Sequence, residues 1–234
     1  MVQPQPPEEV RPEEVKVEVG NDRTTALIYR AQSLGARRPV LILAHGAGSD
    51  QRHPFMSSFA RSLGARGLEV ITFNFLYTEQ KRRVPDRMPQ LVACYRAVIA
   101  AARREGARLF IGGKSMGGRA ATHVAADDPA LSIDGIVLLG YPLHPPGHPE
   151  KPRDAHLPAV KRPMLFVQGS RDVFGTPSEL KPILGSLNPL PTLHTVHGGD
   201  HSFKVAGRDA RQGQAEIYEE IQNTIVKWIG EGGI

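Results

Sequence analysis

Leu109-Phe110-Ile111-Gly112-Gly113-Lys114-Ser115-Met116-Gly117-Gly118 opens with an apolar run of strand character, halts at paired glycines and continues into Arg119-Ala120-Ala121-Thr122, which suits a helix. A strand, a sharp turn and a helix are thereby read in a few adjacent residues, with G-x-S-x-G at the bend, the setting of a nucleophile elbow. The spacing has a steric cause. A serine in so tight a turn stands above the end of the strand, and side chains two residues before and two after it would strike neighbouring backbone; Gly113 and Gly117 carry none. The helix that follows aims the positive end of its dipole at the serine oxygen and favours negative charge there. Gly113-Lys114-Ser115 also resembles the end of a phosphate-binding loop, but that motif needs a glycine five residues earlier, where Arg108 stands.

Outward from this turn, short apolar runs (40–44, 68–73, 109–111, 133–139, 163–167) alternate with amphipathic segments of helical length (54–65, 89–104, 116–126, 178–185, 212–229). The alternation predicts βα units around a parallel sheet buried on both faces. In the last helix Ile217, Ile221, Ile225 and Trp228 form one apolar stripe. Before these units, residues 15–19 and 24–29 alternate about Gly20-Asn21-Asp22 and read as a β-hairpin. The expected fold is α/β: a mostly parallel central sheet with helices on both faces, an N-terminal antiparallel hairpin and a minimal cap. Residues 1–13 are a Pro/Glu-rich tail and 14–234 a single domain. Residues 141–161, rich in Pro and His without periodicity, are the only stretch available for a cap.

Ser115 needs a base and the base needs a carboxylate, because a serine hydroxyl is a poor nucleophile until a neutral imidazole takes its proton. Met164-Leu165-Phe166-Val167 ends in Gln168-Gly169-Ser170-Arg171-Asp172, which sets Asp172 just beyond a strand end as the acid. The last strand runs to His197, and the loop Gly198-Gly199-Asp200-His201 carries His201 as the base. Asp200 is a rival acid, ranked lower because adjacent loop residues rarely face one another. The order Ser, Asp, His and the placement at strand ends suit convergence along one edge of an open sheet. A first parallel strand ending in His45-Gly46-Ala47-Gly48 supplies an oxyanion hole, with backbone donors at Ala47 and Met116. Gly46, Tyr141 and His144 are assigned to the substrate pocket, and His45 to bracing its loop.

Other features read as structural. Cys94, the only cysteine, sits in an apolar helical stretch and excludes an internal disulfide. His194, His197, Asp200 and His201 are dense enough to suggest zinc, but alternate residues of a strand face opposite sides; no metal and no cofactor are expected. The net charge of +5 comes from 29 Lys and Arg scattered against 24 Asp and Glu, without the aromatic interleaving of a nucleic-acid groove. No apolar run approaches the ~18 residues of a membrane span. The N-terminus lacks the pattern of a secretory signal, so a cytoplasmic location is expected.

With these motifs in place, the chain resembles the small α/β-hydrolases related to dienelactone hydrolases. The branch it most resembles contains predicted bacterial hydrolases, a eukaryotic testis-expressed protein and a subunit of the non-specific-lethal chromatin complex. His45-Gly46-Ala47-Gly48, Gly112 to Gly117, Gly140-Tyr141-Pro142-Leu143-His144-Pro145, Phe166 to Asp172 and Asp200-His201-Ser202 carry the resemblance. It implies a Ser115-Asp172-His201 triad and no particular substrate. Dienelactone hydrolases proper commonly use a cysteine where Ser115 stands. The expected activity is hydrolysis of a carboxylic ester of a small acyl substrate, thioesters and amides using the same residues. The rival expectation is a catalytically idle scaffold that binds protein partners.

Overall fold

The computed structural model describes residues 11–31, 39–205 and 210–233. Most of the expected Pro/Glu tail lies outside them. β1 (Glu13–Val19) and β2 (Asp22–Tyr29) form the hairpin, and the βα units follow: β3 (Val40–Ala44), α1 (Pro54–Ala65), β4 (Glu69–Phe73), a single-turn α2 (Leu76–Glu79), α3 (Met88–Ala102), β5 (Leu109–Lys114), α4 (Met116–Asp127), β6 (Gly135–Leu139), β7 (Met164–Gly169), α5 (Pro177–Leu184), β8 (Thr192–Val196) and α6 (Ala210–Gly230). The eight strands make one sheet in the order β1-β2-β4-β3-β5-β6-β7-β8. β1 and β2 pair antiparallel, as do β2 and β4, and every pair from β4 to β8 is parallel.

The central strands are apolar throughout because both their faces are covered. In β3, Val40, Ile42 and Ala44 enter the core under α3, α4 and α5, while Leu41 and Leu43 face the core under α1 and α6. The α6 stripe does as its spacing predicts: Ile221, Ile225 and Trp228 are buried and Ile217 packs beside them. One buried polar group crosses this packing. Tyr95, on α3, reaches β5 with its hydroxyl, which accepts from the Gly112 N–H (2.8 Å) and lies 2.6 Å from the Gly112 carbonyl.

The strand order places the site. The chain runs from β3 outward to β4 and then returns to lay β5 on the opposite side of β3, so the loops leaving β3 and β5 diverge and open a crevice between them. Open α/β sheets bind ligands at such a switch point.

Residues 141–161 form no sheet or α-helix and contain one short 3-10 turn, Leu157–Ala159. They are anchored all the same. Tyr141, Leu143, Leu157 and Val160 are buried in the core, and His156 stacks on His123 of α4 with ring centroids 3.6 Å apart and planes 10° from parallel.

Candidate active site

Ser115 has φ 52° and ψ −117°, a backbone region that costs a non-glycine residue of order 1–3 kcal/mol and persists only where surrounding structure imposes it. The imposing structure is the packing of β3 against the elbow. A Cβ on Gly113 would stand 2.6 Å from the Ala44 carbonyl oxygen, and one on Gly117 would stand 2.7 Å from the His45 carbonyl oxygen. Both glycines are therefore required by contact with β3 and its loop, and the turn is held by the Ser115 N–H donating to the Leu139 carbonyl (3.0 Å).

From Ser115 two hydrogen bonds run to a buried acid. Ser115 Oγ lies 2.9 Å from His201 Nε2, and His201 Nδ1 lies 2.7 Å from Asp172 Oδ2. Asp172 is 2% exposed. Its other oxygen accepts the Phe174 N–H (2.8 Å), and Gln168 Nε2 donates to Oδ2 (2.9 Å), so the carboxylate is satisfied without water. Asp200 turns away from the ring. Its Oδ1 accepts the backbone N–H groups of Ser202 (2.7 Å) and Lys204 (2.9 Å) and shapes the loop that carries His201.

Gly46, Ala47 and Met116 line the same cavity as Ser115 and His201. Gly46 lies directly against the elbow, where a Cβ would stand 3.5 Å from that of Ser115. His45 is fully buried beneath them. Its Nδ1 lies 2.8 Å from the Gly46 carbonyl and its Nε2 accepts the Phe75 N–H at 3.2 Å, which requires the neutral ring protonated on Nδ1. Burial pushes its pKa down and keeps that neutral form.

The cavity has a volume of about 730 Å³, within the range of small-molecule sites. Two residues expected in its wall are elsewhere. Tyr141 is fully buried, its ring against Phe166 and its hydroxyl donating to the Arg153 carbonyl at 2.7 Å. His144 closes onto α5, with Nε2 3.2 Å from Glu179 Oε1 and Nδ1 2.9 Å from the Pro145 carbonyl. From this segment it is Pro142 and Arg153 that face the cavity. The correction has a simple origin: the chain turns at Gly140 with positive φ, and the Tyr141 N–H is captured by Gln168 Oε1 (2.8 Å), which directs Tyr141 into the core and leaves Pro142 against the cavity.

Several residues that shape the site went unread in the sequence. Gln168 ties Asp172 to the backbone of Tyr141 and Gly175; its signal is an amide inside an otherwise apolar strand, which burial obliges to find partners. Phe174 packs on the His201 ring with centroids 4.3 Å apart. Lys114 donates to the His201 carbonyl at 2.5 Å, and burial lowers its pKa to about 8 while the Asp172 and Asp200 charges oppose the fall. Cys94 is buried, and that burial raises its thiol pKa to about 12. Among the described residues no group of three or more His, Cys, Asp or Glu side chains is arranged to hold a metal ion. No helix among them is long and apolar enough to cross a membrane.

The α/β-hydrolase domain family model matches residues 37–230, and the chain belongs to that family. Its fold is shared by a dienelactone hydrolase from Anabaena variabilis (20% identity, 95% of this chain and 99% of that one, TM-score 0.74). An alpha-beta serine hydrolase homologue from Coxiella burnetii is similar at 17% identity over 94% and 98% of the two chains, with a TM-score of 0.72. A lidless member of the α/β serine hydrolases from Xanthomonas campestris matches at 18% identity over 96% and 98%, with a TM-score of 0.68.

Proposed function

We propose that this member of the α/β-hydrolase domain family is a serine-dependent hydrolase of carboxylic esters with small acyl groups. The observation that carries the reading is the pair of hydrogen bonds, 2.9 Å and 2.7 Å, that joins Ser115 Oγ through the His201 ring to the buried Asp172. In the proposed cycle His201 Nε2 takes the Ser115 proton as Oγ attacks the ester carbonyl, and Asp172 holds the ring and stabilises the imidazolium. The backbone N–H groups of Met116 and Ala47 receive the oxyanion, each worth about 3 kcal/mol of barrier in comparable sites. His201 then delivers the proton to the departing alkoxide, leaving an acyl group on Ser115. A water deprotonated by His201 releases the acid and restores the serine. The preference for small acyl groups is supported by the wall: residues 141–161 fold back into the core and lend the cavity only Pro142 and Arg153, which makes no roof for a long chain.

A fluorophosphonate probe, which reacts with activated serines, tests the reading. Wild type is expected to label and Ser115→Ala to remain unlabelled; equal labelling of the two, or none of wild type, overturns the mechanism. On a series of p-nitrophenyl esters, kcat/KM is expected to peak at short acyl chains, and a maximum at long chains would remove the small-acyl part alone.

A further inference from the structure

Ester hydrolysis by a serine relay asks for no cation in the substrate cavity beyond the imidazolium that forms on His201. This cavity nevertheless has four cationic residues in its wall. Lys114 is committed to the His201 carbonyl and Lys204 is solvent-exposed, which leaves two half-buried arginines, Arg119 and Arg153. Arg119 lies on α4, four residues after Ser115, and its N–H donates to the Ser115 carbonyl (3.1 Å). It thus shares a helix face with the serine, and helical Cα–Cβ bonds tilt toward the N-terminus, which leans its side chain back over the elbow. Arg153 comes from the irregular segment and is held there by its backbone: its N–H donates to the Leu143 carbonyl and its own carbonyl accepts the Tyr141 hydroxyl, both at 2.7 Å.

The two charges are unbalanced. Among the described residues no Asp or Glu lies within ion-pair distance of either guanidinium, whereas Arg30, Arg52, Arg66, Arg82 and Arg104 each have such a partner. Half-buried Arg162 also lacks an acid, but its guanidinium donates to the Pro129 and Leu131 carbonyls. Asp86, an acid in the cavity wall, is engaged by Arg82 at 2.7 Å and by the Tyr77 N–H at 3.1 Å. Arg119 Nε is buried without a hydrogen-bond partner. Burial first, and the neighbouring Arg153 charge with it, lower the Arg119 pKa, against an opposing effect of Tyr141. Half-buried arginines are ordinarily paired, because desolvated charge is costly alone. Two that converge on a cavity without an acid of their own match the planar, bidentate chemistry with which guanidinium holds carboxylate and phosphate.

We propose that Arg119 and Arg153 form an anion subsite beside Ser115, so that the molecule this site accepts carries an anionic oxygen group, a carboxylate or a phosphate, in addition to the bond that is cleaved. The inference rests on the serine-hydrolase reading only for the cleavage; the two guanidiniums bind a free anion whether or not Ser115 reacts. Binding is therefore tested first and separately. Thermal unfolding of the full chain is measured with succinate, with inorganic phosphate and with chloride at equal ionic strength. A Tm rise with succinate or phosphate above the chloride control is expected, and its loss in Arg119→Met and in Arg153→Gln. The anion that gives the larger rise identifies the class. No rise in wild type, or a rise kept by both variants, overturns the subsite. Arg153→Gln, on an irregular segment, carries the comparison where Arg119→Met fails to fold.

Turnover then joins the subsite to the reaction. The ratio of kcat/KM for the p-nitrophenyl hemisuccinate to that for the acetate is expected to fall about tenfold or more in Arg153→Gln, the size of one lost hydrogen bond to a charged group. A ratio that does not move, together with an anion-induced Tm rise that does not depend on Arg153, overturns the proposal and leaves the hydrolase reading intact. Failure of wild type to label with the phosphonate or to cleave either ester overturns the hydrolase reading, and the Tm comparison still decides the subsite.

Discussion

The elbow around Ser115 and the segment 141–161 both line one cavity and are held by different means. At the elbow, backbone packs on backbone: Gly113 and Gly117 touch the carbonyl groups of Ala44 and His45 with no room for one carbon more. Over 141–161, side chains do the holding: Tyr141 bonds the Arg153 backbone within the segment, while His144 reaches Glu179 and His156 rests on His123 and Thr122 elsewhere in the chain. The first arrangement leaves no space for a side chain at either glycine. The second sets which residues of the segment reach the cavity, Pro142 and Arg153.

The sharpest break in the comparison is chemical. Asp172→Asn preserves size and leaves the His201 ring without a carboxylate, and kcat on a p-nitrophenyl ester is expected to fall by about 10⁴-fold, as when a triad acid is neutralised. The melting curve of this variant, followed by circular dichroism, should change far less than its rate. The next break is steric. Gly117→Ala drives a methyl into the carbonyls of Ala44 and His45, and a loss of about 3 kcal/mol or more is expected in urea unfolding, comparable with severe overpacking.

In the segment 141–161 a single substitution is expected to cost less. Tyr141→Phe removes one buried hydrogen bond and leaves the Arg153 carbonyl without its donor, which should cost about 1–2 kcal/mol in the same unfolding experiment. The last effect is in pH and shows only when acid is added. Burial first, then the His123 and Arg119 charges, lower the His156 pKa from its ordinary 6.5 to about 3. Between those values the unfolded chain binds the proton that the folded chain refuses, so stability falls as pH drops from 6.5 toward 3. His156→Phe keeps a ring on His123 and removes the titration; its Tm is expected to decline less than that of wild type across this window.

How much of this was legible follows the same division. The hairpin, the alternation of strands and helices and the α6 stripe were readable because their periodicities lie within a few residues. The single turn α2 was not, since four residues carry too little pattern to register. That Ser115, Asp172 and His201 meet was an expectation from strand ends, and the structure brings them within hydrogen-bond distance. Tyr141 and His144 were misplaced because a Pro-rich stretch without periodicity does not say which way a side chain points. Gln168, Lys114, Arg119 and Arg153 were unread for a related reason, each acting on a residue remote in sequence or on none.

The sequence by itself determined the order of the elements and the turn at Ser115, because strand and helix periodicity and the steric demand for glycine are local properties of a few adjacent residues. Only the tertiary structure decided that Arg119 and Arg153 face the cavity while Tyr141 turns into the core. Those outcomes depend on which strand ends lie side by side and which buried polar atoms find partners across the sheet, and such pairings exist only once the chain has closed on itself.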